Sequence, residues 1–247
     1  MIEQKLEISI AGAPAEALFF RPGDAGSFPG VVFYTDIWGI RPANIGMARR
    51  LSEKGFAVLM PNVFFRYSRI APGGFEPENE AERMPRLHEL FAKETRAQMK
   101  SDGAAYVDFL RQQQGVKPGK VGVVGYCFTG QMAVLTAAAA PAKVAAAASF
   151  HGGFLVDPDD PLSVHRQLGP VTARLYFGHA VEDSTATPQQ VAILEQALRD
   201  WRGAFQSEVY QGALHGWTVP GRDVYNAVQA ERAFEKEVEL FAATLED

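Results

Sequence analysis

The stretch Val121-Gly122-Val123-Val124-Gly125-Tyr126-Cys127-Phe128-Thr129-Gly130-Gln131 decides the fold: a valine-dense apolar run passes, through a glycine and the chain's one cysteine, into small residues suited to a helix. A strand that feeds a helix through so tight a turn lifts the central side chain above the sheet, with backbone N–H groups beside it. Stripped of its flanks, a lone cysteine reads as a small buried hydrophobe. The Gly125-Tyr126-Cys127 turn makes a nucleophile the better reading.

Outward from this turn, short apolar runs alternate with longer amphipathic stretches, the pattern of strands joined by helical crossovers in a mostly parallel sheet. Leu6 to Ile10 and Glu16 to Arg21 alternate as a starting hairpin turning at Ala11-Gly12-Ala13-Pro14. Gly30 to Tyr34, Phe56 to Met60, Lys120 to Val124, Val144 to Phe150 and Arg174 to Phe177 read as buried strands. Helices are expected over Asn44 to Lys54, Leu87 to Gln114, Gly130 to Ala140, Gln189 to Trp201 and Asp223 to Leu245. Arg66 to Pro85, with Pro72-Gly73-Gly74 and several glutamates, has neither period, which makes 66–86 a possible lid or long loop.

At 247 residues, 47% hydrophobic and 21% charged, the chain can bury a full core, and an α/β architecture of this length is expected as a single domain over 1–247. A net charge of -5 without a basic, aromatic-interleaved patch argues against nucleic acid as a partner. No apolar run approaches the ~18 residues of a membrane span, and Met1-Ile2-Glu3-Gln4-Lys5 lacks a signal pattern, so no membrane partner and a cytoplasmic location are expected. One cysteine forms no internal disulfide, which agrees with a reducing compartment. The five histidines show no paired ligand spacing and there is no second cysteine, so neither a metal site nor any cofactor is expected.

Acyl transfer needs a nucleophile, a base that takes and returns its proton, and a carboxylate that fixes the base's tautomer. On open α/β sheets with a cysteine or serine elbow these come in the order nucleophile, acid, histidine. Asp183, just past the strand holding Leu175-Tyr176-Phe177, and His215, in Gly212-Ala213-Leu214-His215-Gly216-Trp217, follow Cys127 in that order. Glu182 competes with Asp183, and His151 and His179 compete with His215; the shorter carboxylate and the element order favour Asp183 and His215.

These residues make the chain resemble the dienelactone hydrolase family of the α/β-hydrolase superfamily. Gly125-Tyr126-Cys127-Phe128-Thr129-Gly130 is similar to the family's cysteine elbow, Asp183 to its acid, and Ala213-Leu214-His215-Gly216-Trp217 to its histidine loop, over most of the chain from Val31. The resemblance implies an α/β-hydrolase fold, and a Cys-His-Asp hydrolase that cleaves a small-molecule carboxylic ester or lactone through a thioester; the sequence leaves monomer and homodimer both open. It further implies that a carboxylate after the third strand, here Asp36 in place of the common glutamate, modulates the cysteine's ionisation. The backbone amides of Ile37 and Phe128 are the expected oxyanion donors. Thr129 stands where a glycine is frequent, so a Cβ must fit at a close-packed turn.

Family members that cleave lactones hold a substrate carboxylate with arginines. Arg222 lies beyond the matching spot and Arg83 or Arg86 is a loose match for the other. Trp38, Arg86 and Trp217 are the expected pocket residues, the tryptophans with Phe128 as an apolar wall. Other readings fit parts of the sequence: a thioesterase or other acyl hydrolase, a non-catalytic binder on a hydrolase fold, and a redox-sensing cysteine that would need an external thiol.

Overall fold

The computed structural model describes residues 1–70, 74 and 79–245. Strands β1 (Ile2–Ile10) and β2 (Ala13–Arg21) open the chain as a hairpin, closed by Ala11 and Gly12, both at positive φ. A two-residue turn with both φ positive matches the twist of the flanking strands, which is why a glycine sits there. Next come β3 (Gly30–Tyr34), α1 (Pro42–Glu53), β4 (Ala57–Pro61), α2 (Glu80–Lys93), α3 (Arg96–Arg111) and β5 (Val121–Tyr126). After a single 3-10 turn at Cys127–Thr129, the chain continues through α4 (Gly130–Ala139), β6 (Val144–Phe150), β7 (Arg174–Glu182), α5 (Pro188–Trp201), β8 (Phe205–Leu214) and α6 (Ala227–Leu245).

The eight strands form one sheet in the order β1-β2-β4-β3-β5-β6-β7-β8. β2 runs antiparallel to β1 and to β4, and every pairing from β4 onward is parallel. This is the α/β-hydrolase fold expected from the sequence. Alternate side chains of the central strands go to opposite faces, and two cores result. Val32, Tyr34 and Val123 pack under α3, α4 and α5 with Tyr106, Leu135 and Leu194. Val31, Phe33 and Val124 pack under α1 and α6 with Leu51, Leu240 and Phe241. A Cβ at Gly122 would lie 2.5 Å from the Phe241 ring, so this glycine is what lets α6 seat on β5. Removing that ring would cost about 3–5 kcal/mol as a core cavity.

The helix expected over Leu87 to Gln114 is two helices. Thr95 ends the first by capping the second: its Oγ1 accepts the Gln98 amide at 3.2 Å while Gln98 Oε1 accepts the Thr95 amide at 3.0 Å. Two orphan amides are satisfied reciprocally, and a continuous helix could not make that exchange. Within the expected lid or loop, α2 begins at Glu80, capped by Asn79 Oδ1 on the Ala81 amide at 3.0 Å, and carries Pro85 inside it. The proline removes one backbone donor in a short exposed helix, which the segment tolerates although Pro85 reads as a breaker. Residues 71–73 and 75–78 of that stretch lie outside the described residues.

Parallel strands end on the same edge of the sheet, and this fixes where chemistry can gather. Asp36, Cys127, His151, Asp183 and His215 each stand within two residues of the carboxyl end of β3, β5, β6, β7 and β8 in turn.

Candidate active site

Cys127 has φ +58°, the left-handed region that a cysteine adopts only when its surroundings enforce it. Two contacts enforce it here. A Cβ at Gly125 would lie 2.1 Å from the Thr129 carbonyl oxygen, so only glycine admits the turn's close return onto β5. Gly153 donates its amide to the Cys127 carbonyl at 3.1 Å and ties the turn to the loop after β6. The fully buried Thr129 accommodates its Cβ and uses its hydroxyl. Its Oγ1 accepts the Tyr126 amide at 3.1 Å and donates to the Thr35 carbonyl at 2.6 Å, joining the elbow to the loop that carries Asp36 and Ile37.

The half-buried thiol meets His215, whose Nε2 lies 3.0 Å from Sγ. On the other side of the ring, Nδ1 lies 2.5 Å from Asp183 Oδ2. Asp183 Oδ1 accepts from the Thr185 amide at 2.8 Å and from its hydroxyl at 2.7 Å, so both carboxylate oxygens are occupied and the ring orientation is fixed. Sulfur, imidazole and carboxylate thus stand in one hydrogen-bonded line. Glu182 is exposed and outside it.

The charges in this line reinforce one another. Burial works against a charged His215, but the negative charge of an ionised Cys127 and the Asp183 carboxylate reverse that and raise its pKa to about 10. Burial likewise works to raise Asp183, and the hydrogen bonds from His215 and Thr185 outweigh it, leaving the carboxyl below its ordinary range. The arrangement can hold an imidazolium beside a thiolate and release the proton when that charge is consumed.

The two rival histidines stand elsewhere. His151 is buried at φ +39°, with Nε2 2.7 Å from Thr218 Oγ1 and its ring edge-on to His215 at 5.3 Å. Burial pushes it well below the ordinary histidine range, so it is a neutral wall beside His215. His179 is stacked on Phe177 and held at about 4 by burial. Nothing in the residue pattern signals the His151–Thr218 contact.

Above the thiol lies a cavity of about 510 Å³. Ile37, Phe128 and Trp38 line it beside Cys127. Asp36 also lines it, but its carboxylate is taken up by Arg41, with Oδ2 2.7 Å from Nη2 and Oδ1 3.2 Å from Nη1, and by the Trp38 amide at 3.1 Å. Burial pushes the Asp36 carboxyl up, and Arg41 opposes that shift. The contacts that hold Asp36 shape the entry to α1.

Two expected pocket residues are corrected. Trp217 is fully buried against Tyr210 and His151, each at 5.0 Å between ring centres, because the chain turns inward after Gly216. It belongs to the core behind the histidine. Arg86 ion-pairs with Glu89 and is not among the described residues that line the cavity. One helical face of α2, made of Arg83, Met84, Leu87, His88 and Phe91, supplies that wall instead, and Arg222 stands at the histidine side. Among the described residues no group of three or more His, Cys, Asp or Glu could hold a metal ion, and no helix is long and apolar enough to cross a membrane.

Comparison with known proteins agrees with this architecture. The sequence model of the dienelactone hydrolase family matches residues 15–245. A carboxymethylenebutenolidase from Rhodococcus opacus is 30% identical over 229 residues, covering 88% of this chain and 82% of that protein. A Synechocystis sp. protein provisionally named carboxymethylenebutenolidase is 29% identical over 244 residues, covering 96% and 93%. Among solved structures, a Klebsiella pneumoniae protein provisionally described as a dienelactone hydrolase superposes with a TM-score of 0.86 at 23% identity, over 98% of both chains.

Proposed function

The chain belongs to the dienelactone hydrolase family, and on that premise we propose that it hydrolyses a small carboxylic ester or lactone with Cys127 as nucleophile, His215 as general acid and base, and Asp183 as the carboxylate that orients His215. The observation that carries this reading is the 3.0 Å approach of His215 Nε2 to Cys127 Sγ, with Asp183 holding the opposite nitrogen.

Chemically, the Cys127 thiolate attacks the carbonyl carbon, and the electron pair moves to the carbonyl oxygen, held by the backbone amides of Ile37 and Phe128. Collapse of that intermediate expels the alkoxide, which takes the proton from the His215 imidazolium, and a thioester remains on Cys127. Water then attacks the thioester and gives a proton to the neutral His215. The second collapse restores the thiolate and releases the acid. In a lactone the alkoxide and acyl group belong to one ring, so a hydroxy acid leaves. No step draws on a cofactor.

The cavity above the thiol combines apolar side chains, Trp38, Leu87, Phe91, Phe128 and Phe154, with two basic residues, Arg83 and Arg222. That lining favours a flat or unsaturated acyl body bearing a carboxylate over a neutral ester of the same size. A lone thiol is best kept in a reducing compartment, which makes the cytoplasm the proposed location.

The test is trapping. A p-nitrophenyl ester and an unsaturated lactone, each with and without a carboxylate, are mixed with the protein, and intact mass is read within the first turnover. An acyl adduct on Cys127 that decays with release of acid is expected, absent in Cys127→Ala. Full turnover by Cys127→Ala would overturn the assignment, and an adduct that never decays would make the protein a binder.

A further inference from the structure

A second cavity, of about 310 Å³, lies between α1 and α6, on the sheet face that these two helices cover. Much of its wall is apolar, with Met47 from α1, Phe150 from the end of β6, and Ala233 and Phe234 from α6. Glu237, from α6, lines it as well. This carboxylate is 2% exposed; its Oε2 accepts from the Tyr126 hydroxyl at 2.6 Å, and its Oε1 has no hydrogen-bond partner among the described residues. A buried acceptor without a donor costs about 1–3 kcal/mol, more for a charged group, and a donor entering the cavity would relieve that cost.

The nearby cation does not supply it. Arg50 also lines the cavity, but its guanidinium pairs with Glu231 at 2.5 Å and lies 3.8 Å over the Phe234 ring. With Arg50 committed in this way, Glu237 is the one carboxylate among the described residues lining this cavity.

We propose that this cavity is a second ligand site, for a small organic ammonium: an alkyl or aryl amine whose body lies against Met47, Phe150 and Phe234 and whose N–H donors meet Glu237. An ammonium brings three donors and the opposite charge, whereas an alcohol brings one donor and none. Carboxylate ligands are repelled by the same group. The site shares framework with the reaction centre. Tyr126, which holds Glu237, directly precedes Cys127, and Thr218, also in the lining, holds His151 against His215.

Calorimetric titration of the full chain with n-hexylammonium, 1-hexanol and hexanoate at pH 8 tests the proposal. Saturable one-site binding of n-hexylammonium is expected, at least tenfold tighter than 1-hexanol, with none for hexanoate. Glu237→Gln, which keeps an acceptor for Tyr126, weakens the amine at least tenfold. Gly46→Trp tests the place independently of that buried group. Gly46 lies in α1 at the cavity's rim and nothing stands within 4 Å of a Cβ there, so the indole enters free space and abolishes binding. Alkylating Cys127 leaves amine binding within twofold. Equal binding of the alcohol, binding that survives Gly46→Trp, or no saturable binding would overturn the proposal. Loss of amine binding after alkylation would do so too, since the amine would then sit in the thiol cavity.

Discussion

Cys127, Asp183 and His215 line or adjoin the floor of the thiol cavity and hang from the ends of β5, β7 and β8; β5 and β7 are each paired on both sides, and β8 is the edge strand, paired to β7 alone. The roof hangs from α2, where Leu90 is the one fully buried residue among those whose side chains are described and Met84 is 56% exposed. The floor is over-determined: a positive φ, a glycine that admits no Cβ and a buried threonine all act on one turn. The described contacts that hold the roof include Leu90, Phe91 against the Phe128 and Phe154 rings, and the Tyr67 hydroxyl donating to the Lys93 carbonyl at its end. Rigid placement is what bond-making requires and a lightly held wall is what substrate range requires, so under the proposed mechanism the floor sets rate and the roof sets recognition.

The largest expected effect falls on the floor. Cys127→Ala lowers kcat by at least about 10⁴-fold, since the remaining groups position and polarise the substrate but form no bond to it. Its melting temperature stays within a few degrees because a half-buried thiol contributes little packing. The same variant reports on charge. With the thiolate gone, His215 loses the neighbour that favours its charged form, and its NMR titration midpoint moves down from about 10. The sign carries into stability. A histidine raised when folded stabilises fully below its ordinary ~6.5 and loses that contribution as pH climbs through about 10. Denaturant midpoints of the unmodified protein therefore fall across that alkaline window, and those of Cys127→Ala fall less. Asp183 acts in the opposite sense, stabilising above the ordinary carboxylate range and losing its contribution as acid protonates it. Asp183→Asn, which disturbs the tautomer of His215, lowers kcat by about 10²–10⁴-fold and ranks next.

Most of the floor was legible because each of its residues is a distinct chemical type at a strand end, and strand ends are marked by where apolar runs stop. Cys127, Asp183 and His215 could be read in order without any knowledge of distance. The roof was not legible, for a reason of phase. Which of Arg83 and Arg86 faces the cavity depends on where α2 begins, and Asn79 and Pro85 give conflicting signals about that. The break between α2 and α3 had a signal, Thr95 followed by Gln98, that the continuous amphipathic pattern concealed. Trp217 reads as a pocket aromatic beside the histidine, yet the inward turn after Gly216 that buries it is a tertiary event with no local mark.

An intermediate effect tests whether the floor is as rigid as it looks. Thr129→Ala removes the hydroxyl that joins Tyr126 to Thr35, leaving a buried amide and a carbonyl without that partner. A loss of about 1–3 kcal/mol in stability follows from the unpaired groups. If the threonine also aligns the elbow with the Ile37 amide, kcat falls about tenfold while KM holds. Reduced stability with unchanged kcat would mean that Gly125 and the backbone alone set the turn.

The smallest effect belongs to the roof, and it is the sharpest test of the division. Leu87 lies on the cavity face of α2 and is packed against the core while remaining half-buried. Trimming it to alanine removes apolar contact worth about 1–2 kcal/mol to a substrate body that touches it. Because that contact exists equally in the bound substrate and in the transition state, Leu87→Ala raises KM by about five- to thirtyfold for bulky acyl groups and leaves kcat within about threefold. A short acetyl ester that does not reach α2 is hydrolysed as before. Comparing kcat and KM for a long and a short ester in this variant separates the outcomes. A fall in kcat for the short ester would mean that α2 presses on the catalytic line, and floor and roof would then act as one rigid unit.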